Sequence, residues 1–234
     1  MRTLLLGFRS LLFYLGFITV VVIAGTLCCL LFFTPFMFRQ KMVSHAIGLI
    51  MLWLRITCGI RIQIEGKENI PNRPCVILCN HQSTWETFFL QQFFPPLSVI
   101  LKRELLWIPF FGWALFLLRP IAIKRANPGG AIRQVLKLGK QRLKEGNNIV
   151  IYPEGTRSKS GDILSFKTSG AAVAKAGKAP VLPIRHNAGQ HWPVDKFIKT
   201  PGTINVVIGP EISTLGRDAR EITEEARTWI VNAL

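Results

Sequence analysis

The stretch Cys75-Val76-Ile77-Leu78-Cys79-Asn80-His81-Gln82-Ser83-Thr84-Trp85-Glu86 decides how this 234-residue chain is read. Its first five residues are an unbroken apolar run, short enough for a strand buried on both faces. Asn80-His81-Gln82 is loop-like, and Ser83 and Thr84 are good helix N-caps, so the chain turns from strand to helix here. Were 81 to 86 all helical, five steps of about 100° would set His81 and Glu86 roughly 140° apart, and they could not meet. With His81 placed before the helix they can. Glu86 then accepts a hydrogen bond from one ring nitrogen and leaves the other to face a substrate, which couples a base to an orienting anion.

About seventy residues later Asn148-Ile149-Val150-Ile151 reads as a second buried strand, followed by Tyr152-Pro153-Glu154-Gly155-Thr156-Arg157-Ser158. The end of a strand is where α/β folds place ligands. Gly155 permits a positive φ or a close approach. Arg157 offers a planar fork suited to phosphate, and Thr156 a hydroxyl donor.

Working outward, Ile60 to Glu65 alternates apolar and polar as a half-exposed strand does. Short strands follow at 97–101, 121–123, 180–184 and 203–208. They are interleaved with helices at about 84–94, 130–145, 168–176 and 217–234. Alternating strands and helices predict an α/β fold around a mixed, largely parallel sheet flanked by helices. Residues 105–113, Leu-Leu-Trp-Ile-Pro-Phe-Phe-Gly-Trp, are aromatic and broken by Pro and Gly. They fit either an ordinary core segment or a surface that dips into lipid.

The first sixty residues differ from the rest. Leu11 to Thr34 carries no charge. As a helix it would be about 36 Å long, enough for a hydrocarbon core of about 30 Å. It is too long for a signal-peptide core. Phe36 to Leu54 is also apolar, but Arg39 and Lys41 interrupt it, so it is expected to lie in the interface or to pack on the first segment. Residues 1–58 are thus expected to be a membrane-embedded helical anchor and 59–234 a catalytic domain. The basic residues after the run lean towards a cytoplasmic catalytic side.

The chain has 29 Lys or Arg against 13 Asp or Glu, a formal net charge of +16. Such an excess attracts an anion. An apolar N-terminus turns the choice away from nucleic acid and towards an acidic membrane surface or a phosphorylated lipid. Between Leu101 and Arg185 there are sixteen basic residues and four acidic ones, so most of the excess lies near the two motifs. The five cysteines form no C-x-x-C pair, which speaks against a zinc site or a disulfide scaffold. Cys75 and Cys79 share a strand face and read as core. Of the other histidines, His186 and His191 are expected to form a surface pair near a strand end.

Asn80-His81-Gln82-Ser83 with Glu86, joined to Glu154-Gly155-Thr156-Arg157, resembles the signature motifs of the glycerolipid acyltransferases, most closely the 1-acylglycerol-3-phosphate acyltransferases. The resemblance covers roughly Ile64 to Asn187. It implies acyl transfer to the sn-2 hydroxyl of 1-acylglycerol 3-phosphate, with His81 and Glu86 catalytic and Glu154, Gly155, Thr156 and Arg157 binding the glycerol phosphate. Lys102 and Arg125 lie where further family blocks would add cations for the phosphate. It implies no metal and no cofactor, the acyl group arriving on acyl-CoA or acyl-acyl carrier protein. Partners would be membrane lipids and lysophosphatidic acid, and the location a membrane, taken as the bacterial inner membrane with the catalytic domain in the cytoplasm. One departure stands out: the family usually has Asp where this chain has Glu86. Glycerol 3-phosphate or a lyso-aminolipid as acceptor, and a non-catalytic tether binding anionic lipid, stay open at this level. A serine hydrolase does not, for want of a G-x-S-x-G elbow.

Overall fold

In the computed structural model, residues 2–124, 128–159 and 161–234 are described. Seven strands form one sheet: β1 (Ile60–Glu65), β2 (Val76–Cys79), β3 (Leu97–Lys102), β4 (Ile121–Ile123), β5 (Asn148–Ile151), β6 (Val181–His186) and β7 (Gly202–Ile208). Their order across the sheet is β1-β7-β6-β2-β5-β3-β4. Every pairing is parallel except β6 with β7. The expected mixed, largely parallel sheet is therefore the one observed.

Among the described residues seven α-helices accompany it: α1 (Arg2–Leu30), α2 (Phe36–Cys58), α3 (Trp85–Phe93), α4 (Phe111–Leu117), α5 (Pro128–Lys144), α6 (Ser169–Gly177) and α7 (Ala219–Asn232). The sheet is covered on both faces, and alternation along β2 shows how. Cys75, Ile77 and Cys79 point into a core shared with Phe13 of α1, Ile47 and Leu54 of α2, and Trp85 and Phe89 of α3. Val76 and Leu78 point the other way, towards Val135 and Leu143 of α5, Val173 of α6 and Ile222 of α7. This two-sided burial is why the β2 run carries no polar residue.

The first apolar segment is longer than the charge-free run suggested. Its helix begins at Arg2, because arginines at a helix end cost little there, and it breaks at the turn before Pro35. α2 packs against it as expected, with Trp53 Nε1 donating to the Leu12 carbonyl at 3.1 Å. Both helices are long and apolar enough to cross a membrane. α1 also lies along the sheet-bearing part of the chain. Phe13 meets the edge of Trp192 at 5.0 Å and Phe17 that of Phe88 at 5.3 Å. A Cβ on Gly25 would stand 2.6 Å from the Phe110 carbonyl oxygen, so glycine allows α1 to touch the chain just before α4. The opposite side of α1 exposes Leu4, Phe8, Leu15, Ile18 and Ile23.

The aromatic segment forms a 3-10 turn over Arg103–Trp107 and then α4. Trp107 is 76% and Phe116 66% exposed, so this part of the chain is surface and not core. With the outer face of α1 it leaves large apolar side chains exposed, as surfaces that meet a membrane or another protein do.

Candidate active site

β2 is the centre of the site. It pairs Leu78 with Ile151 of β5 on one side and Cys79 with Ile184 of β6 on the other. Following that register past the strand ends sets the Glu154 loop and His186 on either side of His81.

His81 lies outside α3, in the turn that a meeting with Glu86 requires. Its Nδ1 is 2.7 Å from Glu86 Oε1. The same oxygen accepts the backbone N–H groups of Gln82 at 3.1 Å and Ser83 at 3.0 Å. Glu86 is completely buried. Burial opposes its ionisation, but the His186 and His81 rings and the Ser83 N–H outweigh that and hold the carboxyl below its ordinary range. An ionised Glu86 accepts a hydrogen bond from Nδ1–H, which fixes the His81 tautomer and leaves Nε2 as the free acceptor. His81 keeps 15% of its side chain exposed, as a group that meets a substrate must.

Ser83 is committed elsewhere. Its Oγ donates to the Trp192 carbonyl and accepts the Trp85 N–H at the start of α3, so it is not poised as a nucleophile. Its backbone N–H is taken by Glu86 and so is not available to an oxyanion.

The two motifs are stitched through the His81 backbone. Its N–H donates to Glu154 Oε1 at 2.9 Å, and its carbonyl accepts the Ser158 N–H at 2.8 Å. Glu154 Oε2 accepts the Leu164 N–H at 3.0 Å. This corrects the expectation that Glu154 faces substrate. It is 5% exposed, and both oxygens hold backbone. Gly155 has φ +74, and a Cβ there would come within 2.9 Å of Lys167 Nζ, so both conformation and space call for glycine. Thr156 and Arg157 are exposed beyond it, and Lys102 is exposed at the end of β3. Among the described residues neither Arg157 nor Lys102 has an ion-pair partner. Arg125 lies outside the described residues.

Two residues join the site that the sequence did not single out for it. The Tyr152 ring stacks on His81 with centroids 4.0 Å apart and planes 15° apart, and burial pushes its phenol well above the ordinary value. An aromatic residue directly after β5 was the available signal. His186 is the second. It is 1% exposed and does not pair with His191, which instead contacts the Thr200 carbonyl. The expected surface pair fails because His186 belongs to β6, and β6 lies between two strands.

The arrangement can remove a proton from a hydroxyl group and return one to a leaving group, beside cations suited to a phosphate. The comparisons with known proteins agree with that chemistry. The sequence model of the family described as Acyltransferase matches residues 61–187. A 1-acyl-sn-glycerol-3-phosphate acyltransferase of Pseudomonas aeruginosa is 48% identical over 227 residues, covering 95% of this chain and 88% of its own. The alpha form of that enzyme from Mus musculus is 29% identical, covering 89% of this chain and 73% of its own. The crystal structure of the 1-acyl-sn-glycerophosphate (LPA) acyltransferase PlsC from Thermotoga maritima is similar over 100% of this chain and 96% of its own, with a TM-score of 0.85 at 25% identity. The chain belongs to the Acyltransferase family.

Proposed function

We propose that this protein is a membrane-associated 1-acylglycerol-3-phosphate O-acyltransferase, converting lysophosphatidic acid to phosphatidic acid. The observation that carries the reading is the 2.7 Å contact of His81 Nδ1 with a buried, ionised Glu86, beside the exposed Arg157. The similarity to enzymes named for that acceptor, along nearly the whole chain, supports the choice of substrate.

Arg157 and Lys102, with Arg125, hold the phosphate and bring the sn-2 hydroxyl to His81 Nε2. The nitrogen takes the hydroxyl proton as the oxygen attacks the thioester carbonyl. Glu86 stabilises the imidazolium that results. The tetrahedral intermediate collapses with loss of the thiolate, and His81 returns the proton to that sulfur. The new ester bond replaces the thioester, and no acyl-enzyme forms. The donor is acyl-CoA or acyl-acyl carrier protein.

Lifting an acyl chain of some fourteen methylenes into water costs roughly 11 kcal/mol at about 0.8 kcal/mol per CH₂. An enzyme at the bilayer surface avoids this cost, which suits the apolar exterior of α1 and of residues 105–117. We place the catalytic domain at the cytoplasmic face of a bacterial inner membrane.

The test uses purified protein in detergent micelles with labelled lysophosphatidic acid and each donor in turn. Phosphatidic acid from the wild type and none from His81→Ala is the expected result. Equal product from both would overturn the mechanism, and no product from the wild type with either donor would overturn the acceptor.

A further inference from the structure

His186 is fixed as few side chains in the molecule are. Asn80 Nδ2 donates to its carbonyl at 3.0 Å, and its own N–H donates to Asn80 Oδ1 at 3.0 Å. The ring adds two contacts, Nε2 with the Asn80 carbonyl at 2.9 Å and the Ala188 N–H with Nδ1 at 3.1 Å. A ring nitrogen that accepts an N–H carries no proton. The ring proton is therefore on Nε2, which donates to Asn80, one residue before His81. Burial favours this neutral ring, lowering its pKa against the opposing pull of Glu86.

Glu86 supplies the second observation. Three donors converge on Oε1, whereas Oε2 is buried with no hydrogen-bond partner among the described residues. His186 Nε2 stands 3.9 Å from that bare oxygen. This is longer than a hydrogen bond but close enough for the N–H dipole to be felt in a dry interior. A carboxylate that supports an imidazolium must stay charged, yet a buried oxygen without a donor favours protonation. A neutral N–H answers both demands. A cation at that place would also hold Glu86 ionised, but it would compete with the His81 imidazolium for the carboxylate's charge.

We propose that His186 is a positioning residue for acyl transfer: its Nε2–H locks the backbone at Asn80 and supports the bare oxygen of Glu86. His81 Nδ1 thereby stays aligned on Oε1 while His81 takes up and returns its proton. The inference rests on His81 being the base.

The other charged and titratable groups around the pair are Cys79 on β2, Tyr152 and Glu154 at the end of β5, and Arg185 on β6. Burial keeps the thiol and the phenol un-ionised, Glu154 holds backbone, and an arginine stays cationic. His81, Glu86 and His186 are left to shape the acidic side of the pH profile.

The experiment measures kcat and KM from pH 5.5 to 9 on full-length protein in micelles, with lysophosphatidic acid and acyl-CoA. It compares wild type, His186→Gln, His186→Leu and His81→Ala, with thermal unfolding of each. The Leu variant fills the space without a donor. Its kcat is expected to fall on the order of 10- to 100-fold, by analogy with the loss of a hydrogen-bond partner behind a metal-bound histidine. KM for the lipid should stay within about twofold, since the group touches no substrate. The acidic limb should move to higher pH, because a less supported carboxylate holds the imidazolium more tightly. His186→Gln, which keeps an N–H donor, should recover most of kcat. A folded Leu variant with wild-type kcat and pH profile would overturn the proposal, and so would equal losses in Leu and Gln with an unmoved profile. If the Leu variant does not fold, His186→Asn, too short to reach Glu86, takes its place under the same criteria. Activity in His81→Ala would instead remove the base itself, whatever the His186 variants do.

Discussion

Glu154 Oε1 accepts the backbone N–H of His81 at 2.9 Å across 73 residues of chain, so the loop after β5 holds the turn after β2. The second motif therefore does two jobs with neighbouring residues. Glu154 faces inward and fixes the backbone; Arg157 faces outward and is free to bind. Glu154→Gln sets an amide N–H against the N–H of either His81 or Leu164, a mismatch costing about 1–3 kcal/mol. We expect a lower unfolding temperature and a reduced kcat. Arg157→Ala should leave unfolding unchanged and raise KM for the phospholipid at least tenfold. Calorimetry and initial rates on both variants separate the two roles.

Glu86 acts through charge as well as shape. In Glu86→Gln the amide can still accept from the backbone but no longer supports an imidazolium. We expect kcat to fall by about 10³ to 10⁴, as when the carboxylate of a catalytic triad is neutralised. Glu86→Asp keeps the charge on a shorter stem and should fall between the two. Wild-type activity in the Gln variant would show that Glu86 serves packing alone.

Acid should destabilise the fold through the same carboxyl. Its pKa is lowered in the folded state, so its contribution is complete above the unfolded value of about 4.3 and is lost as the pH falls through the folded one. Unfolding temperatures between pH 3 and 7 should therefore drop less steeply in Glu86→Gln than in the wild type. Parallel curves would show that Glu86 does not contribute to acid sensitivity.

The Tyr152 stack tests whether the ring or its hydroxyl matters. The hydroxyl is buried with no hydrogen-bond partner among the described residues. Tyr152→Phe should retain activity within about twofold and match or exceed wild-type stability, because it removes an unsatisfied polar group. Tyr152→Ala removes the face against which His81 rests and should lower kcat at least tenfold at similar KM. A dead Phe variant would give the phenol a chemical role.

From Arg9, whose Nε donates to the Thr57 carbonyl, to Gly25 against Phe110, α1 lies along the rest of the protein. With that much of α1 docked, we expect α1 and α2 to enter the bilayer as a hairpin whose two ends share one face. Thiol labelling of single cysteines placed at Leu4 and Lys140 in sealed membranes should give the same sidedness for both. Opposite sidedness would make α1 a true span. Gly25→Leu should force α1 off Phe110 and lower stability by roughly 1–3 kcal/mol, the usual cost of overpacking.

Much of the site was legible because its signals are local. His81 and Glu86 are five residues apart, and helix geometry alone required His81 to precede the helix. The positive φ at Gly155 follows from a tight turn after a strand. The strands themselves could be placed from apolar runs of the right length. Glu154 was misread because a carboxylate in a loop looks exposed until one knows which backbone N–H groups need it. His186 was misread for a related reason. The apolar run Val181 to Ile184 is that of an inner strand, but a histidine at a strand end ordinarily meets water.

The sequence by itself determined the α/β class, the turn that joins His81 to Glu86, the basic loop after β5 and the apolar N-terminus. Each follows from backbone geometry or solvation over a few consecutive residues. Only the tertiary structure decided that β2 lies between β5 and β6. That order brings Glu154 to one side of His81 and His186 to the other, from 73 and 105 positions along the chain. Strand order is set by how helices on both faces close the core, a balance of contacts distant in sequence that no local pattern encodes.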